Sequence, residues 1–159
     1  MTSTNTSYLQ LKQLQGEWSG KKRLWLTPGE PVRESPAQAR VEFAAGERLI
    51  SVHYTWSWEG TPQDGLIVAR LADDTESVDA FWLDSWHMSD RFMLCRYQAT
   101  DDATVAVLGK YAGPSGPDWS WRITITTERE GEFQLIMDNI TPEGAEMKAV
   151  EATFHRPTS

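Results

Sequence analysis

The sequence predicts an all-β domain: a closed antiparallel barrel of about ten strands with a short N-terminal helix. Three observations carry this expectation. Strand-like runs of alternating apolar and polar residues follow one another at short, regular intervals. Turn-forming pairs and clusters separate them. No helical periodicity intervenes between the runs, which is the pattern of a meander and not of βαβ units. A meander of this length can close on itself and so remove its exposed edges.

Helical spacing is confined to residues 7–15 (SYLQLKQLQ), where Leu11 and Leu14 share a side and Gly16 acts as a stop. The strand-like runs then fall at 18–25, 39–44, 49–59, 66–72, 77–86, 92–98, 104–111, 119–127, 132–139 and 146–155. Between them lie Ala45-Gly46, GTPQDG at 60–65, Asp73-Asp74, Ser89-Asp90, Asp101-Asp102, GPSGPD at 113–118, Glu130-Gly131 and TPEG at 141–144. One connection is long: residues 27–37 hold Pro28, Gly29, Pro31 and Pro36 and cannot be strand or helix throughout. No internal repeat, linker or second domain is visible, so residues 1–159 read as one domain, with helix at 7–15 and barrel at 17–156.

Alternation tells which side chains face inward. Val52, Tyr54, Trp56 and Trp58 oppose His53, Thr55 and Ser57. Trp119, Trp121, Ile123 and Ile125 oppose Ser120, Arg122, Thr124 and Thr126. Phe133, Leu135 and Met137 form a third inward set, and Val150, Ala152, Phe154 and Arg156 a fourth. The run at 77–86 is ambiguous, with Ala80, Trp82, Asp84 and Trp86 on one face and Phe81, Leu83, Ser85 and His87 on the other.

Composition narrows the function. Eight tryptophans are many for 159 residues, and each brings a large apolar surface with one N–H that needs a partner. A net charge of −8 repels phosphate backbones and anionic lipid, which argues against nucleic acid or a membrane surface as partner. The only basic run is Lys21-Lys22-Arg23, at the start of a strand. The single cysteine, Cys95, allows no internal disulfide and reads as a core thiol in a reducing compartment. The N-terminal MTSTNTSYLQ has no apolar run of the signal-peptide kind, and no stretch approaches the roughly 20 apolar residues that span a bilayer. These features predict a cytoplasmic protein and leave a homo-oligomer open.

Gly16-Glu17-Trp18-Ser19-Gly20 resembles the G-x-W opening of the first strand in lipocalins and related calycins. The resemblance implies a calycin-like (lipocalin or fatty-acid-binding-protein-like) barrel in which Trp18 closes one end against an arginine of the last strand, here Arg156. Over nearly the whole chain the sequence is similar to the bacterial domain-of-unknown-function family 1579. The matching motifs are GEWSG at 16–20, Tyr54-Thr55-Trp56 with Glu59-Gly60, Trp82-Leu83-Asp84-Ser85, Trp119-Ser120-Trp121-Arg122, and Asn139-Ile140-Thr141-Pro142-Glu143-Gly144. That similarity implies a barrel and no particular activity.

The candidate site is the aromatic interior: Tyr54, Trp56, Trp58, Trp119 and Trp121, joined by Trp82 and Trp86 if their face is inward. Flat aromatic walls suit a planar or apolar ligand, or a cation over ring faces. The competing reading is that the rings only fill the barrel. Asp84, among indoles, is either an anchor or acid–base group or a structural carboxylate bonded to an indole N–H, Arg96 or Arg122. An even-length loop at 88–91 puts it opposite Cys95, and an odd one puts Arg96 on its face. His53, His87 and His155 lack metal-ligand spacing. Alternation turns His155 outward, against a role as axial ligand in a nitrobindin-like haem barrel. His53 reads as solvated, and His87 as the histidine at a pocket mouth. The sequence thus points to binding of a small hydrophobic or aromatic molecule, with no cofactor or metal. The alternatives are an enzyme using Asp84 and His87, and less favoured a haem barrel.

Overall fold

Period-two alternation is carried into ten strands that pair in chain order and close. The computed structural model describes residues 11–70, 78–88, 90–98, 104–127 and 129–157. The strands are β1 (Gly16–Leu24), β2 (Arg33–Ala44), β3 (Leu49–Trp58), β4 (Thr61–Arg70), β5 (Val78–Asp84), β6 (Met93–Gln98), β7 (Thr104–Tyr111), β8 (Trp119–Thr126), β9 (Glu132–Ile140) and β10 (Glu146–His155). Every neighbouring pair is antiparallel, and β1 pairs with both β2 and β10, so no edge is left. Among the described residues no helix is long and apolar enough to cross a membrane.

Two of three expectations about the elements are corrected. The helix at 7–15 lies partly outside the described residues. Its described end is α-helical at Leu11 and Lys12 and runs into a turn closed by the Leu14 N–H on the Leu11 carbonyl at 3.0 Å. Leu11 and Leu14 are both buried, on the shared side that their spacing implies. Second, β2 begins at Arg33 and absorbs Pro36, which stands opposite Lys21. Third, GTPQDG is no six-residue loop, because β4 starts at Thr61. The hairpin turns on Glu59-Gly60 alone, with φ of 48° and 82°. Two positive φ values in a two-residue connection match the twist of the strands it joins, and glycine adopts one of them without strain.

Antiparallel order places the connections after odd-numbered strands at one end, here called the upper, and both described termini at the other. The lower end is sealed by residues distant in sequence. The Trp18 indole N–H donates to the Leu14 carbonyl at 2.7 Å, and its ring meets Phe133 edge-on at 4.9 Å. The Arg156 guanidinium lies 4.1 Å from the centre of the Trp18 ring and donates to the carbonyls of Gln15 and Gln13 at 2.8 and 2.6 Å. Val52, Tyr54, Trp56, Trp121, Ile123, Ile125, Phe133, Leu135, Met137, Val150, Ala152 and Phe154 are buried as alternation requires, and Cys95 joins them, whereas Trp58 and Trp119 are only half-buried and Arg156 is exposed. On β5, Ala80, Trp82 and Asp84 point inward, and Leu83 outward. The strand stops at Asp84, so Trp86 belongs to the following turn and not to the strand face.

Candidate functional site

Asp84 organises the upper end. One carboxylate oxygen accepts from the backbone N–H groups of Trp86 and His87 at 2.8 and 3.0 Å. The other accepts from the Tyr54 hydroxyl at 2.7 Å and the Trp56 indole N–H at 3.3 Å. The first pair is an Asx turn. It folds residues 85–88 back over the lumen, and the Met88 N–H closes the turn on the Asp84 carbonyl at 3.0 Å. The second pair ties that turn to β3 across the sheet. Tyr54 in turn accepts from the Trp82 indole N–H at 2.9 Å. Burial, then the adjacent Asp84 charge, push the Tyr54 phenol well above its usual pKa, so it stays a donor.

Room for Tyr54 comes from Gly65, its partner across β3 and β4. A Cβ there would stand 2.2 Å from the Tyr54 hydroxyl oxygen. Glycine at 65 is required by this close approach.

The turn delivers His87 into a box of indoles. Its ring centre lies 4.6 Å from Trp86, 5.6 Å from Trp82, 5.6 Å from Trp121 and 6.0 Å from Trp56. Trp82 and Trp121 stack at 5.4 Å with their planes 5° apart. The residue is half-buried, yet its Nε2 is shut off from solvent and has no hydrogen-bond partner among the described residues; the same holds for the Trp121 indole N–H.

Lys22 completes the cluster and was not singled out from the sequence. It is 3% exposed, and its Nζ lies 3.1 Å from the centre of a Trp56 ring. No hydrogen-bond or ion-pair partner for Nζ is found among the described residues. Burial lowers its pKa from 10.5 to about 7, against the pull of the Asp84 charge. His87 is held down at about 4, first by burial and then by the Lys22 charge, with Asp84 opposing. At neutral pH the imidazole is therefore neutral. The signal for Lys22 was available: Trp18, Lys22 and Leu24 alternate on one buried face of β1. The basic triplet 21–23 masked it.

Of the residues picked out by sequence, Tyr54, Trp56, Trp82, Asp84, Trp86, His87 and Trp121 come together. Trp58 sits at the rim, 5.0 Å from Trp86, with the Arg33 guanidinium 4.5 Å above its ring. Trp119 stands apart, half-buried against Gly113, where a Cβ would fall 2.4 Å from the indole. Asp84 faces neither Arg96 nor Arg122. Its strand pairs Ala80 with Cys95, so Cys95 is not its opposite number, and Arg122 is bound to Asp138 and Glu146 on the outer surface. His53 pairs with Asp64 at 3.0 Å on the exterior. His155 is exposed and faces Glu132 at 3.6 Å, away from the lumen. Among the described residues no group of three or more His, Cys, Asp or Glu side chains could hold a metal.

The chemistry open to this arrangement follows. With both Asp84 oxygens doubly occupied, the carboxylate is a structural group and not a free acid or base. What remains unspent is one amine, one indole N–H and one imidazole nitrogen, set among flat apolar walls.

The family model described as protein of unknown function DUF1579 matches residues 5–156. The chain belongs to this family. Solved structures similar to this DUF1579 protein include the following two. Rv2717c from M. tuberculosis is 12% identical, with 96% of this chain and 98% of that one covered at a TM-score of 0.57. A redesigned β-barrel is 17% identical, with 94% and 96% covered at a TM-score of 0.46. The first shares the barrel fold. No curated protein matches the chain.

Proposed function

We propose that this DUF1579 protein binds a small planar molecule, aromatic or apolar, among the tryptophans at the upper end of the barrel, without chemistry of its own. The observation that carries this reading is the pair of sealed, unpartnered polar atoms, His87 Nε2 and Trp121 Nε1, inside the indole box. Buried polar groups are almost always satisfied, and an orphaned pair within one aromatic cluster is what a site looks like before its ligand supplies the partner. The buried Lys22 supports the same reading. A desolvated amine costs stability, and such a cost is characteristic of functional sites.

Asp84 works through the turn it holds, which sets Trp86 and His87 as one wall. A cytoplasmic location belongs to this reading, and the lone cysteine, Cys95, free and buried, supports it. Titration with naphthalene-based probes, followed by calorimetry and Trp fluorescence, tests the site. Saturable binding that Trp56→Ala or Trp121→Ala weakens by tenfold or more is the expected result. Saturable binding unchanged in both variants, or none with any planar probe, would refute it.

A further inference from the structure

The unspent groups of the site have a common polarity. Trp121 Nε1 can only donate, and the Lys22 ammonium offers three donors and no acceptor. His87, neutral at neutral pH, donates from Nε2 in one of its two tautomers. The three lie in one chain of contacts: Lys22 Nζ over the Trp56 ring at 3.1 Å, Trp56 to His87 at 6.0 Å, His87 to Trp121 at 5.6 Å.

A cationic ligand does not suit this set. The only inward carboxylate there among the described residues, Asp84, is saturated by four donors, and the Trp56 face that would hold a cation already holds Lys22. A phosphate dianion is poorly matched too, because the cluster offers one titratable amine and no arginine fork. A single negative charge with two acceptor oxygens fits.

We propose that Lys22, Trp121 and His87 form a carboxylate-binding head, and that the ligand of this barrel is a planar aromatic monocarboxylate whose ring lies against the indoles. The proposal rests on the reading that the indole box is a ligand site, and deepens it by naming the polar group of the ligand. Binding a carboxylate would also return to Lys22 the charged partner it lacks and so favour its ammonium form.

The test compares 1-naphthylacetate with its neutral amide, 1-naphthylacetamide, by isothermal titration calorimetry at pH 6, on the intact chain. A charge-assisted hydrogen bond makes the carboxylate bind roughly tenfold more tightly than the amide, or better. Lys22→Met is expected to weaken carboxylate binding by about that factor and leave amide binding within about twofold. Near-UV circular dichroism checks that the variant is folded, and Trp121→Phe, which keeps a ring and deletes the N–H, gives an independent second reading of lower affinity for the carboxylate. Equal affinity of wild type for acid and amide would overturn the carboxylate head while leaving the aromatic site intact. A preference for the acid that survives both substitutions would overturn its placement. Failure of both compounds to bind would remove the aromatic site itself.

Discussion

Replacing Lys22 by methionine isolates what it costs to hold an ammonium group inside this barrel. Lowering its pKa from 10.5 to about 7 corresponds to roughly 5 kcal/mol against the charged form in the folded state. The cation–π contact with Trp56 returns about 2 kcal/mol of that. Methionine keeps most of the stem and carries no charge, so at pH 6 it should stabilise the fold by about 3 kcal/mol net, or roughly 6–12 °C in Tm for a domain of this size. The pH dependence is the diagnostic part. Below pH 7 the folded and unfolded chains are both protonated at Lys22, and the penalty is complete. Between pH 7 and 10.5 the folded protein gives up the proton first, the unfolded chain binds more protons, and wild-type stability rises with pH. The advantage of methionine should therefore be largest at pH 6 and fade towards pH 10. Urea unfolding of both proteins at pH 6 and pH 9.5 measures it, and contributions from other titrating groups cancel in the difference. A variant no more stable than wild type at pH 6, or a gain that does not shrink by pH 9.5, would refute the reasoning.

His87 should titrate near pH 4 rather than 6.5, and because the unfolded chain protonates first, this group contributes stability that is lost as pH falls from about 6.5 to 4; imidazole NMR showing a charged ring at pH 6 would contradict this. Asp84→Asn sets an amide N–H₂ against either two backbone N–H groups or the Tyr54 and Trp56 donors, and should cost about 2–4 kcal/mol in urea unfolding. It should also release the 85–88 turn, seen as loss of near-UV tryptophan ellipticity. Gly65→Ala should displace Tyr54, costing about 1–3 kcal/mol and weakening naphthalene binding, although residue 65 lies outside the indole box.

Much of the barrel was legible because strand alternation is a local property. Tyr54, Trp56, Trp121, Ile123, Phe133 and Phe154 fall on the inward face from spacing alone. Element ends were less legible. Pro36 and GTPQDG read as loop chemistry, yet ladder pairing with neighbours carries strand through both. At the site, spacing brought forward the tryptophans, Asp84 and His87. It placed Trp86 on a strand face that ends two residues earlier, and it overlooked Lys22, whose charge outweighed its alternation with Trp18 and Leu24.

By itself, then, the sequence determined the class of fold, the family, and which face of β3, β8, β9 and β10 turns to the lumen, since each follows from composition, motif or period two. Only the tertiary structure decided how those side chains meet. Closure sets β1, β3, β5 and β8 around one lumen, so that an amine from residue 22 reaches the ring of residue 56 and the Asp84 turn brings His87 against Trp121. Contacts across a barrel depend on register and on where strands stop, and neither is written in the alternation of any single strand.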